Sequence, residues 1–183
     1  MIKRNKVFIA VSLDGFIADK NGGIDWLTET PNPEQSDLGY ANFSANIDAI
    51  VMGRNTFETV CGFDMDWPYT IPVFVLSNSL TKVPVEYAGK AFVVNGPLTE
   101  VIAKIHTLGH GQLYMDGGGT VQGFLKEDLI DDLILTQIPV VLGEGIPLFK
   151  AMSKRLDFEL VKTETFIGEL VQSHYQRKAV PIN

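Results

Sequence analysis

The sequence predicts an α/β protein in three layers, with a mixed, mostly parallel β-sheet flanked by helices and an antiparallel C-terminal hairpin. Three observations predict it: short apolar runs rich in β-branched residues, helix-like segments between several of them, and two longer strand-like runs near the C-terminus. The chain has 183 residues, enough for one domain with its own core, and we expect that domain to span residues 1–183.

The predicted strands are apolar runs typical of strands buried on both faces. In order they are Val7–Val11, Ala49–Met52, Val73–Leu76, Ala91–Val94, Leu113–Met115 and Leu133–Leu142. The predicted helices alternate with them, at Leu38–Asn46, Arg54–Val60, Leu98–Leu108 and Thr120–Lys126. Phe158–Glu164 and Leu170–Gln176 are expected to form the hairpin, which makes a sheet of about eight strands. Thr28–Asp37, which contains two prolines, is expected to be a loop.

Composition excludes several classes of partner. The formal net charge is −7 and the 15 lysines and arginines form no long run, which argues against nucleic-acid binding. The apolar runs are far shorter than the roughly 20 residues of a membrane span. A single cysteine and three scattered histidines offer neither a disulfide nor a zinc framework. We therefore expect a cytoplasmic protein without a metal, whose partner is a small molecule.

One candidate anion site follows the strand Ala49–Met52, where Gly53-Arg54-Asn55-Thr56 leads into a helix. A helix N-terminus presents free N–H groups that can hold a pyrophosphate, and Arg54 can fork onto a further phosphate. Taken alone, this short motif is more often a plain turn with a solvated arginine.

A second candidate follows the strand Leu113–Met115, where Gly117-Gly118-Gly119-Thr120 leads into the next helix. Three glycines let a ligand approach the backbone closely, and a flexible connection would explain one glycine better than three. Ser77 and Ser79, after the strand that ends at Leu76, suit a ribose or its phosphate, although alone they could form an ordinary turn.

Four motifs in order carry a resemblance to a known family: Gly53-Arg54-x-Thr56, Leu76-Ser77, Asp116-Gly117-Gly118-Gly119 and Pro139-x-x-Leu142-Gly143-x-Gly145-x-Pro147-Leu148-Phe149. Together they resemble the dihydrofolate-reductase-like superfamily. Within it, the chain is similar from Val7 to about Tyr175 to the reductase domain of the bifunctional riboflavin-biosynthesis deaminase-reductase.

The resemblance implies NADPH as the cofactor. Gly53, Arg54, Asn55 and Thr56 would contact its phosphates, with Arg54, Leu76 and Ser77 or Ser79 at the 2′-phosphate end. Gly117, Gly118, Gly119 and Thr120 would cradle the pyrophosphate. Ala10, Val11, Ile17 and Gly23 would lie near the nicotinamide, whose hydride does the chemistry while the protein orients it.

The resemblance also implies a substrate site beside the nicotinamide, with Trp26, Asp37 and Tyr40 as its candidate residues. Folate-reducing relatives place an acid near Asp37, which could therefore be the catalytic general acid or hold the substrate. Asp37 could equally be a helix-capping carboxylate, and Trp26 could equally be a core residue.

The leading function is NADPH-dependent reduction of a small heterocyclic or imine-bearing substrate, with 5-amino-6-(5-phosphoribosylamino)uracil reductase as the best named candidate. Two departures bear on this function. The zinc-deaminase ligands are missing from the sequence, so a role in riboflavin synthesis would be reduction only. The pathway substrate carries a ribose phosphate, yet Lys20 is the one basic residue between Ser12 and Asp48, so no anionic substrate site is obvious. The alternatives are a dihydrofolate or pterin reductase and a dinucleotide-binding protein without turnover. A homodimer is expected, as in relatives of this branch.

Overall fold

A twisted eight-stranded sheet organises the part of the chain that the structure, a computed structural model, describes, residues 2–179. Its strand order is β5-β4-β3-β6-β1-β7-β10-β9, parallel through β7 and antiparallel for the last two strands. The strands are β1 Arg4–Ser12, β2 Phe16–Ala18, β3 Ala49–Gly53, β4 Val73–Leu76, β5 Ala91–Val94, β6 Gln112–Asp116, β7 Asp132–Ile138, β8 Ile146–Pro147, β9 Phe158–Phe166 and β10 Leu170–Arg177. The helices are α1 Asp25–Thr28, α2 Tyr40–Ser44, α3 Arg54–Cys61, α4 Leu98–Thr107 and α5 Gly118–Lys126.

The core lies on both faces of this sheet, because the central strands bury consecutive side chains rather than alternate ones. In β3 all of Ala49–Met52 is buried. Helices α4 and α5 cover one face through Ile105 and Phe124, while α3 covers the other through Phe57. The predicted three-layer α/β fold with an antiparallel C-terminal hairpin is confirmed.

Several predicted elements have different ends in the structure: β1 begins at Arg4 rather than Val7, β9 ends at Phe166 rather than Glu164, and three further cases follow. The strand predicted to reach Leu142 ends at Ile138, because Pro139 follows and cannot donate a ladder hydrogen bond. The helix predicted for Leu38–Asn46 spans only Tyr40–Ser44, because Leu38 and Gly39 have φ of +54° and +84°, which are not helical. The helix predicted from Thr120 begins two residues earlier, at Gly118.

Two small features lie outside the predicted elements. The four-residue helix α1 follows β2, and β2 pairs with β8 in a separate two-stranded sheet. This second sheet ties the segment after β1 to the Gly143–Phe149 region. Across residues 2–179, no helix combines the length and the apolar character needed to span a bilayer.

Candidate active site

Two glycine turns meet at the carboxyl ends of two central strands of the sheet. Strands β3 and β6 are parallel neighbours, so their carboxyl ends lie next to each other, and the amino ends of α3 and α5 come together there although the two helices cover opposite faces of the sheet. Gly117 has φ of +86°, and a Cβ atom there would collide with the side chain of Thr56. A Cβ atom at Gly118 would likewise collide with Ile17. Glycine is therefore required at Gly117 for the two turns to approach this closely, whereas a side chain at Gly118 would displace the end of Ile17 on β2.

A cleft of about 410 Å³ opens above these turns. Seven of the predicted cofactor-binding residues line it: Gly53, Arg54, Asn55, Thr56, Leu76, Gly119 and Thr120. Leu98, Gly123 and Phe124 complete the lining and were not predicted. The amino ends of α3 and α5 border the cleft, which therefore combines free N–H groups with close backbone access, the properties that suit a pyrophosphate.

Arg54 and the two predicted serines converge at one end of this cleft. Arg54 Nη1 donates to Ser79 Oγ over 2.9 Å, and Ser77 Oγ lies 3.5 Å from Ser79 Oγ. Arg54 Nε also pairs with Glu58 Oε1 at 3.3 Å on the exposed surface of α3. The guanidinium is thus held near two hydroxyl groups, a donor set that fits a phosphate monoester.

Strands β1 and β6 stop pairing before the carboxyl end of β6. Their ladder ends at Lys6 and Tyr114, while β1 stays paired with β7 as far as Ser12. The predicted residues Ala10 and Val11 lie on β1 beyond this point. In open α/β sheets, ligands bind outside the carboxyl ends of the strands, so the gap beside β1 and β6 is the natural place for a reacting group.

Asp116, at the end of β6, was not predicted as a functional residue. Its Oδ1 accepts hydrogen bonds from the Tyr114 hydroxyl at 3.1 Å and from the Gly117 amide at 2.9 Å. Its Oδ2 accepts none from the described residues. Burial raises the pKa of the Asp116 carboxyl, against the opposing effect of the two hydrogen bonds. One oxygen is therefore fixed, and the other is free to carry a proton.

Aromatic side chains pack around Tyr114, whose hydroxyl contacts this carboxyl. Phe43 stacks at 4.9 Å on Phe8 and meets Tyr114 edge-on at 5.1 Å between ring centroids. Tyr40, a predicted substrate residue, contacts Phe8 edge-on at 5.7 Å. Burial and then the charge of Asp116 raise the pKa of Tyr40, and the same two causes raise that of Tyr69. The setting offers flat apolar walls and phenol groups to a planar substrate.

Asp37 lies in a different setting. Its carboxylate is exposed and accepts hydrogen bonds from the amides of Gly39 at 2.9 Å and Ala41 at 2.7 Å. These bonds, the one from Ala41 first, lower the pKa of Asp37. Gly39 is the N-cap residue of α2, and the Asp37 carboxylate, two residues before it, accepts the first-turn amide of Ala41, which agrees with the interpretation of Asp37 as a carboxylate that stabilises the helix start. Its predicted role as general acid is not tested by this geometry and stays a prediction.

The remaining predicted residues lie in the segment after β1. Ile17 packs in the core beside Gly118, as described above. Gly23 belongs to a tight turn in which its amide donates to Asp19 Oδ1 at 2.8 Å. Trp26 is half-buried in α1, and its buried Nε1 has no partner among the described residues. A cofactor contact by Gly23 and a substrate contact by Trp26 stay predictions.

The sheet order and the covering helices are those of a dihydrofolate-reductase-like fold. The model of the RibD C-terminal domain matches residues 6–172, and the chain belongs to that family.

Its relatives agree with this assignment. The chain is 37% identical over 179 residues to the uncharacterized protein YwjB of Bacillus subtilis (strain 168), covering 97% of this chain and 99% of that one. A Shewanella sp. PV-4 crystal structure, described provisionally as a riboflavin biosynthesis protein, is 49% identical with a TM-score of 0.92, covering 96% and 99% of the two chains. Acinetobacter baumannii RibD is similar in fold at 16% identity and a TM-score of 0.74, with 97% of this chain matching 58% of that one.

Proposed function

We propose that the protein is an NADPH-dependent reductase of a small heterocyclic or imine-bearing substrate. The observation that carries the proposal is the meeting of the two glycine turns, with the Arg54 and Ser79 pair on one side and Asp116 on the other. Membership of the RibD C-terminal family supports it. So does the fold likeness to Enterococcus faecalis dihydrofolate reductase complexed with NADP(H), at 19% identity and a TM-score of 0.67.

The residues present fit a phosphorylated dinucleotide. The glycine turns, in which a Cβ atom at Gly117 would strike Thr56, leave backbone amides free to approach a pyrophosphate. Arg54, Ser77 and Ser79 would hold a 2′-phosphate, which separates NADPH from NADH. When bound, the cofactor supplies a hydride.

The chain's own contribution to the reaction is to orient the substrate and to provide a proton. We assign the proton to Asp116 Oδ2, because burial disfavours the charged form of this carboxyl and Oδ1 already accepts the Gly117 amide. A substrate atom that gains electrons as it is reduced would take that proton, leaving Asp116 as a carboxylate. Asp37 is less suited to the task, because its pKa is lowered and it is a carboxylate at neutral pH.

The best named substrate is 5-amino-6-(5-phosphoribosylamino)uracil. A Thermotoga maritima protein described as a deaminase and 5-amino-6-(5-phosphoribosylamino)uracil reductase has a similar fold at 15% identity and a TM-score of 0.71. A flat pyrimidine would suit the aromatic walls formed by Phe8, Tyr40 and Phe43.

The test begins with binding and ends with turnover. We expect the purified chain to bind NADPH more tightly than NADH in a fluorescence titration, and then to oxidise NADPH when the aminouracil is added. Parallel reactions contain the same compound without its phosphate, and dihydrofolate. Failure of both nucleotides to bind would refute the reductase proposal. Turnover with dihydrofolate alone would transfer the assignment to folate reduction.

The homodimer expected from the resemblance is also a proposal, and sedimentation equilibrium would test it. The cytoplasmic location stays a prediction that fractionation of the native cells would test.

A further inference from the structure

Tyr114 has a hydroxyl group that reaches two acceptors at once. Its oxygen lies 3.1 Å from the backbone carbonyl of Phe8 and 3.1 Å from Asp116 Oδ1. A phenol has one hydrogen to donate, so at any moment it serves one of these two acceptors. Tyr114 is buried, so water does not readily replace the hydroxyl at the acceptor that it leaves, and losing that hydrogen bond costs free energy.

The two acceptors belong to different strands. Phe8 lies on β1 and Asp116 on β6, and the backbone ladder between these strands has already ended at Lys6 and Tyr114. The hydroxyl group therefore bridges β1 and β6 where their backbones no longer pair. The Gly117 amide, in contrast, points at Asp116 Oδ1 in either protonation state because it is fixed by the turn.

We propose that Tyr114 is a positioning residue for Asp116. The Tyr114 hydroxyl donates to the Phe8 carbonyl while Asp116 is protonated, and it turns to Asp116 Oδ1 once Asp116 is a carboxylate. The inference rests on the proposed function, in which Asp116 gives its Oδ2 proton to the substrate. The hydroxyl hydrogen rotates about the C–O bond of the phenol, so no bond to it breaks. The carboxylate that remains gains a second charge-assisted donor without any movement of the backbone.

The other groups around Asp116 do not compete for this role. Tyr40 on α2 and Tyr69 ahead of β4 are the titratable side chains that interact with it besides Tyr114. The strand β3 places Met52 opposite Asp116, and β1 contributes Phe8, neither of which titrates. Burial raises the pKa of each of the three phenols, so all three keep their hydrogen while Asp116 titrates.

Tyr114→Phe removes the hydroxyl and keeps the ring. Because the carboxylate then loses one of two donors, we expect the pKa of Asp116 to rise by about one pH unit, the size of a hydrogen bond to a charged group. Tyr175→Phe is the matched control, since Tyr175 lies on β10, which β7 and β1 separate from β6. It removes a tyrosine hydroxyl and leaves the surroundings of Asp116 unchanged.

The measurement is a pH titration by ¹³C NMR of the full chain, labelled at the aspartate carboxyl and phenylalanine carbonyl carbons. Asp116→Asn identifies the Asp116 signal by its disappearance, and Phe8→Leu identifies that of Phe8. In the unmodified protein, the Phe8 carbonyl signal should shift at the same midpoint as the Asp116 carboxyl. In Tyr114→Phe, the Asp116 midpoint should move upward and most of the coupled Phe8 shift should be lost, with Tyr175→Phe unchanged.

An unchanged Asp116 midpoint in a folded Tyr114→Phe protein would overturn the inference. So would a Phe8 signal that titrates equally with and without the hydroxyl. Neither outcome depends on turnover, so the inference can fail while NADPH oxidation succeeds. The pH profile of kcat connects the role of Tyr114 with the proposed reductase function. The alkaline limb of this profile should move to higher pH in Tyr114→Phe, together with the NMR midpoint of Asp116. A merely structural loss would instead lower kcat equally at all pH values.

Discussion

The amino end of α2 and the carboxyl end of β6 each present an aspartate, Asp37 and Asp116, in opposite surroundings. Asp37 is exposed, and both its oxygens accept backbone hydrogen bonds, which lower its pKa. Asp116 has one oxygen held by Tyr114 and Gly117 and the other free, and burial raises its pKa. An acid that donates a proton at neutral pH needs the second setting. The comparison teaches that a carboxylate at a helix start is suited to capping, whereas one at a buried strand end is suited to proton transfer.

The largest effect expected from this contrast is on turnover. Asp116→Asn keeps the shape and the accepting oxygen but cannot deliver a proton, so kcat for NADPH oxidation should fall by about 10²- to 10⁴-fold. NADPH affinity in a fluorescence titration should change little, which separates lost chemistry from a damaged cofactor site. Undiminished turnover in Asp116→Asn would end the proposed role of Asp116.

A second prediction concerns the proposed contact between Arg54 and the 2′-phosphate of NADPH. Arg54→Ala should weaken NADPH binding by about 10- to 100-fold, as expected for a lost charge-assisted contact with a phosphate, and should leave NADH binding nearly unchanged. Arg155→Ala is the control, because Arg155 is an exposed arginine paired with Asp157 outside the cleft. Equal losses for both nucleotides would contradict a 2′-phosphate contact at Arg54.

The third prediction is a difference in stability with pH. Because the pKa of Asp116 is raised in the folded protein, the unfolded chain loses this proton at lower pH. The folded state of the unmodified protein therefore loses stability as pH rises from the unfolded-state pKa through the folded-state one. Asp116→Asn removes this loss. Its Tm should exceed that of the unmodified protein at neutral or higher pH, and the gap should close in acid.

The smallest effect is expected at Asp37. Asparagine caps helices as well as aspartate does, so Asp37→Asn should keep kcat within about twofold, while Asp37→Ala should lower Tm through the lost cap. Thermal melts and NADPH oxidation assays of the two variants check this. A loss of turnover in Asp37→Asn as large as that in Asp116→Asn would reverse the assignment of the two carboxylates.

The sheet could be predicted from local signals, and the residues that line the cleft could be named once the four motifs were taken together as a resemblance. Fully buried strands such as Ala49–Met52 are continuous apolar runs, and the turns after β3 and β6 consist of glycines beside phosphate-binding residue types. The resemblance grouped Arg54 with Ser77 or Ser79, and the structure brings Arg54 to Ser79, 25 positions away in the chain, because β3 and β4 are parallel neighbours.

Other features depend on contacts between distant residues or on backbone angles. The pairing of β2 with β8 joins Phe16 to Pro147 through strands too short to have a period. The late start of α2 depends on a positive φ at Leu38, which its residue type does not favour. Asp116 has a sequence signal, an acid between a buried strand and three glycines, but the burial that raises its pKa arises from side chains on other elements.

The pH dependence of kcat for NADPH oxidation tests the central claim most directly, with the unmodified protein, Asp37→Asn and Asp116→Asn side by side. If Asp116 is the proton donor, kcat should fall with rising pH in the unmodified protein and in Asp37→Asn, because Asp116 loses its proton. The account predicts a low kcat without this limb in Asp116→Asn. Loss of the limb in Asp37→Asn, with its survival in Asp116→Asn, would contradict the account.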